Sequence, residues 1–244
     1  VFRLAPGVAL VPYLLALCVI PLAPGVAAAD VDAGALFVLA AVGVGVLGTL
    51  MAGWASANKY SLLGAMRSGA QLLSYELPMV LSVASVALAA GTLSLGGIVT
   101  QWQTWWLIWQ LPGAVCFLVA ALAELQRPPF DMPVADSEIV FGAYTEYTGL
   151  RFALFLLAEY AGIVVMSFLF AVLFLGGWQG PFAEVLGVVW TVLKAFLVAV
   201  VIIWLRVSWP RMREDQLQRL AWVWLVPLAL VQLALTGVGV VVMQ

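Results

Sequence analysis

The chain has 244 residues, of which 65% are hydrophobic and 9% charged, with a mean hydropathy of +1.13. Soluble domains carry roughly 25% charged residues, so this composition excludes a soluble fold and reads as an integral membrane protein. A net charge of −2 leaves no basic footprint for nucleic acid, and the lack of any histidine removes the commonest metal ligand and the usual near-neutral proton carrier.

A membrane-crossing helix needs about 20 apolar residues. Seven runs meet that requirement in chain order: 4–22, 35–54, 70–90, 105–124, 152–175, 186–206 and 220–242. The runs show no alternation of period two, and lipid leaves helices as the alternative to a closed barrel. The predicted fold is therefore all-α, a polytopic transmembrane helical bundle forming a single integral membrane domain over 1–244. Pro78 is expected to kink the third span just after Glu76. The first run has no basic leader and no clear small-residue cleavage site, so it does not read as a signal peptide. A chain starting at Val1 reads as an N-terminally incomplete version of a longer protein. Cys18 and Cys116 lie far apart inside apolar runs and read as buried filler, not as a disulfide or metal pair.

The charges order themselves by end. Arg3, Lys59, Arg67, Arg127, Arg151, Arg206, Arg211, Arg213 and Arg219 fall at one set of span ends; the opposite set carries only Asp30, Asp32 and Glu184. The positive-inside rule places the first set, and the loop 125–151, in the cytoplasm, with the C-terminus outside. Trp102, Trp105 and Trp106 then begin a span at the outer interface, where an aromatic belt belongs.

Five of the 12 acidic residues fall between Glu124 and Glu146: Glu124, Asp131, Asp136, Glu138 and Glu146. An ionised group in hydrocarbon costs several kcal/mol, so carboxylates gathered between two spans suggest a role, the bland alternative being a solvated acidic loop. Glu76, Glu124 and Glu159 each lie near the cytoplasmic end of a span, at depths that allow them to meet in one polar cavity. Desolvation and mutual repulsion would tune such groups to pass protons; alternatively each pairs with an arginine or reaches the surface. Lys194, deeper in the sixth span, is either a functional charge paired with a carboxylate here or in a neighbouring subunit, or salt-bridged structural glue. The Arg206–Arg219 segment is either a docking surface or a topology-setting charge cluster. No Walker motif, dinucleotide fingerprint or Ser/His/Asp set occurs, so no catalytic residue is assigned to this chain and any electrons come from a partner.

The run Ala123-Glu124, Arg127-Pro128-Pro129-Phe130-Asp131-Met132-Pro133, Asp136-Ser137-Glu138, Thr145-Glu146-Tyr147-Thr148-Gly149-Leu150-Arg151 and Ala158-Glu159-Tyr160 resembles the quinone-chamber membrane subunits of respiratory complex I, the proton-pumping NADH:quinone oxidoreductase. Gly53-Trp54-Ala55-Ser56, Ser74-Tyr75-Glu76 and Trp209-Pro210-Arg211 extend the resemblance over nearly the whole chain. It implies eight helices, seven of them here, and a wall of the quinone chamber at the junction with the hydrophilic arm. It implies that Glu76, Glu124, Arg127, Asp131, Asp136, Glu138, Glu146, Arg151 and Glu159 serve the chamber and the acidic channel leading from it. It also implies quinone (ubiquinone or menaquinone) as substrate, no cofactor or metal held by this chain, and flavin and iron–sulfur clusters in partner subunits of the membrane and peripheral arms. The chain departs from the family pattern at Tyr144, where histidine is usual, and at Val134 and Asp136, where glutamate is usual. Two competing readings are the related membrane component of a proton-translocating hydrogenase and a secondary transporter. The latter lacks support because the chain has no internal symmetry.

Overall fold

The computed structural model describes residues 1–134 and 139–243. Every regular element among them is helical. In chain order they are α1 Ala5–Val19, α2 Gly34–Ala55, α3 Lys59–Ala90, α4 Leu95–Gln101, α5 Trp106–Trp109, α6 Leu111–Glu124, α7 Leu150–Phe174, α8 Ala183–Ser208, α9 Glu214–Arg219 and α10 Val226–Met243. A 3-10 turn, Gly142–Tyr144, precedes α7, and a π-helical segment, Leu220–Leu225, joins α9 to α10. Five helical stretches are long and apolar enough to cross a membrane, and α1 and α6 are shorter apolar helices. The protein is thus an all-helical membrane protein.

Two predicted spans change shape for reasons readable in the chain. The run 105–124 divides into α5 and α6, because Pro112 sits in the first turn of α6 and has no N–H to carry the earlier helix through. The run 70–90 is only the outer part of α3, whose 32 residues extend about 48 Å at 1.5 Å per residue. The N-terminal extension contains Lys59 and Arg67, which dilute its hydropathy. Its start is fixed by Asn58, whose side chain accepts the Tyr60 N–H at 3.1 Å. Its end falls at Gly91, whose φ of +68° suits the left-handed conformation that stops a helix. The helix is continuous through Pro78.

α3 is the spine of the bundle and packs against α2, α6 and α10. Its buried stripe is polar as well as apolar, and each polar group meets a different neighbour. Ser61 donates to the Ala143 carbonyl at 3.0 Å. Gln71 donates to the carbonyls of Ala123 and Phe130 at 2.6 and 2.9 Å. Tyr75 donates to the Leu217 carbonyl at 2.9 Å, and Ser85 to Gln110 Oε1 at 3.1 Å. These bonds satisfy acceptors that water cannot reach, and those of Ser61, Gln71 and Tyr75 hang the segments around residues 123–130, 143 and 217 on one helix. Gly64 permits the closest approach: a Cβ there would lie 2.5 Å from the Pro133 carbonyl oxygen.

Candidate functional site

Helices α1, α2, α6 and α7, together with the 3-10 turn, enclose a cavity of about 50 Å³. Its polar lining comes from Tyr13, Thr49, Glu124, Gln126, Arg127, Tyr144 and Glu159. Glu124 is 4% exposed, in the last residue of α6, and its Oε1 has no hydrogen-bond partner among the described residues. Of the three carboxylates expected to meet, the cavity wall holds Glu124 and Glu159. Glu76 lies beside the cavity rather than in its wall, within electrostatic reach of Glu124. Its carboxylate rests against α2 at Gly43, where a Cβ would stand 3.1 Å from Glu76 Oε1.

Glu159 is held between two arginines. Arg127 grips one carboxylate oxygen, and Arg206, at the end of α8, meets the other at 2.9 Å. This is the arginine-paired alternative for Glu159, and it brings in Arg206, which sequence alone places only in a loop surface. Arg151 takes a different part from the one expected. It is exposed at the start of α7 and stands over the Phe2 ring at 5.4 Å, with Phe2 stacked on Tyr147 at 4.3 Å.

The rest of the acidic loop is placed by backbone contacts. The Ala143 N–H bonds the Pro133 carbonyl at 3.2 Å, and the Met212 N–H bonds the Pro129 carbonyl at 3.0 Å. Gln126 donates to Ser68 Oγ on α3. Asp131 is half-buried and within electrostatic reach of Tyr144. Glu146 is exposed and accepts from Asn58 Nδ2 at 3.0 Å. Asp136 and Glu138 lie outside the described residues.

Two tyrosines are functional candidates that sequence reasoning does not single out as site residues. Tyr13 sits inside α1, and its ring fits because Gly45 and Gly162 face it; a Cβ on Gly45 would stand 2.8 Å from the ring. Tyr144, in the 3-10 turn, shares a hydrogen bond of 3.2 Å with Thr49 Oγ1. Burial pushes the Tyr144 phenol up, so it stays neutral at ordinary pH. The available signal is a phenol inside a short apolar run, opposite glycines on the second and fifth runs.

Lys194 lies away from this site. It pairs with no carboxylate among the described residues and instead donates to the carbonyls of Leu175, Gly177 and Gln179 at 2.7, 2.9 and 2.7 Å. Positive φ at Gly176 and Gly177, +69° and +45°, turns the chain after α7 beside it.

Residues 1–237 match the NADH dehydrogenase family. The chain is similar to the NADH-quinone oxidoreductase H subunit of Dehalococcoides mccartyi, at 46% identity over 99% of this chain and 68% of the relative. It is also similar to the proteins of that name from Bacillus cytotoxicus and Bacillus mycoides, each at 47% identity over 97% of this chain and 72% of the relative.

Proposed function

This chain belongs to the NADH dehydrogenase family, and on that footing we propose that it walls the quinone chamber of an NADH:quinone oxidoreductase and couples quinone reduction to proton translocation. The observation that carries the reading is Glu124: a buried carboxylate facing a polar cavity, with Glu159 clamped between Arg127 and Arg206 in the same wall. A buried acid beside a fixed ion cluster can hold or release a proton in response to a change of charge nearby.

The dimensions favour the acidic channel over the chamber itself as the role of this cavity. Drug-sized ligands occupy pockets of roughly 300–1,000 Å³, and this cavity of about 50 Å³ is water-sized. The quinone substrate is therefore taken to lie at the face this chain shares with partner subunits, which supply flavin and iron–sulfur clusters. Asp131, Glu146 and the segment with Asp136 and Glu138 would carry the charge change from that face to Glu124. Seven crossings are proposed, with α1 counted as one and α4, α5 and α6 together as another. The loop between α6 and α7 is assigned to the cytoplasmic side on the Lys/Arg bias.

The test is Glu124→Gln in the assembled complex. NADH:quinone reductase activity should fall several-fold, while NADH:ferricyanide activity, which bypasses the chamber, should hold. Full quinone reductase activity with full proton pumping would remove Glu124 from the coupling machinery.

A further inference from the structure

The Glu124 cavity has a feature that a simple carboxylate pair does not explain. Glu124 Oε1 is buried without a protein partner among the described residues, yet the walls opposite carry hydroxyl groups. Leaving a buried acceptor unsatisfied costs about 1–3 kcal/mol, and more for a charged group. The space, about 50 Å³, can hold roughly three waters at 10–15 Å³ each. A water is retained where two to four polar groups surround it, and Tyr13, Tyr144, Thr49 and Glu124 meet that condition.

We propose that Tyr13 and Tyr144 hold a small water cluster against the Glu124 carboxyl, and that the two phenols are positioning residues for its proton exchange. The geometry divides the work. Thr49 shares the hydrogen bond of 3.2 Å with Tyr144, which fixes the direction of that phenol while leaving hydroxyl capacity for water. Gly45 and Gly162 leave Tyr13 its place between α2 and α7, with the ring 7% exposed. Arg127 and Glu159 line the same cavity and are paired with one another. Water held there links Glu124 to neutral donors as well as to the ion pair that shares the cavity. A proton exchanged between Glu124 and the ion cluster then crosses that water, so removing one phenol weakens the link without removing the carboxyl.

This inference rests on the coupling role proposed for Glu124, and its test separates the two. Redox-triggered infrared difference spectra would be recorded on the assembled complex carrying Tyr13→Phe, Tyr144→Phe or Glu124→Gln, in ordinary and 18-oxygen water. A high-resolution map of the parent complex would be obtained alongside. The carboxyl band lost in Glu124→Gln should shift in both phenylalanine variants, and water bands sensitive to 18-oxygen should weaken. The map should show ordered water within hydrogen-bond distance of Glu124 and a phenol. A map without water there, or a Glu124 band unmoved in both variants, overturns the proposal, even if Glu124→Gln still uncouples the enzyme. Conversely, ordered water and a shifted band with full activity in Glu124→Gln keep the water site and sink the coupling role. If Tyr13→Phe fails to assemble, Thr49→Val with Tyr144→Phe carries the spectroscopic test, because both act through the Tyr144 hydroxyl.

Discussion

Arg206, in the last turn of α8, meets the Glu159 carboxylate of α7 at 2.9 Å, and Arg127 grips the other oxygen of the same group. One anion therefore joins two helices and the loop that follows α6. The arrangement is asymmetric: either arginine can be lost while the other still neutralises Glu159, but Glu159 cannot be lost without leaving two guanidinium groups together.

The first prediction follows from that asymmetry. Glu159→Gln should destabilise the assembled protein by about 3 kcal/mol, the low end for breaking a buried pair because the arginines are partly exposed. Arg206→Ala should cost roughly 1 kcal/mol. Thermal inactivation of the complex measures both. Equal effects of the two substitutions would contradict a shared anion.

Much of this arrangement is legible in the sequence, and the illegible part has physical causes. The apolar helices and the nearness of Glu124 to Glu159 follow from hydropathy and charge position. The length of α3 does not, because its first turns combine Lys59, Ser61 and Arg67 with apolar residues, and hydropathy windows report lipid contact rather than helix. The partner of Glu159 does not, because Arg206 lies 47 positions away and only the packing of α7 on α8 brings it near. The place of Tyr13 depends on two glycines from two other helices, a tertiary condition that no local pattern encodes. The contact of Arg151 with Phe2 joins positions 149 apart in sequence and is likewise a tertiary one.

The second prediction concerns the acidic loop. Asn58 caps α3 through Oδ1 and holds Glu146 through Nδ2. Asn58→Ala should cost about 1 kcal/mol of helix-start stability and release Glu146. Glu146→Gln keeps the shape and removes the charge. We expect NADH:quinone activity to fall several-fold in Glu146→Gln while NADH:ferricyanide activity holds. Equal loss of both activities would indicate damaged assembly, and loss of neither would return Glu146 to a solvated turn.

Packing gives the third prediction. Gly64 lies where a Cβ would stand 2.5 Å from the Pro133 carbonyl oxygen and 2.7 Å from the Ala143 nitrogen. Backbone cannot rotate away as a side chain can, so Gly64→Ala must push the acidic loop off α3. Overpacking of this kind costs typically 1–3 kcal/mol. The variant should show reduced quinone reductase activity and greater protease sensitivity at residues 134–142. Gly7→Ala is the control, since nothing lies within 4 Å of the added carbon; equal sensitivity in both variants would refute the contact.

Topology supplies the fourth. Single cysteines at Ala57 and Trp209 should label only from the cytoplasmic side, and at Asp30 and Thr104 only from outside, since all four positions are exposed. The expectation comes from the Lys/Arg bias. Labelling of Ala57→Cys from outside would reverse the orientation.

Lys194 carries the last prediction. It lies 12 residues from Arg206 on α8, about 18 Å along the axis at 1.5 Å per residue, level with the chain that leaves α7. The first turns of α8 beyond it expose Val185, Val189 and Leu193, an apolar surface suited to lipid. The carbonyls of Leu175, Gly177 and Gln179 therefore lie where water is scarce, and irregular backbone at that depth needs a donor from the protein. An ammonium offers three N–H groups to three carbonyls. Lys194→Met removes all three donors, and Lys194→Gln retains at most two. With each orphaned acceptor costing about 1–3 kcal/mol, stability should fall in the order parent, Gln, Met. Quinone reductase activity per assembled complex should stay near the parent value. Detergent-melting curves with assembly-normalised activity test this. A Lys194→Met complex that melts like the parent yet loses turnover would make Lys194 part of the proton path instead of a clamp.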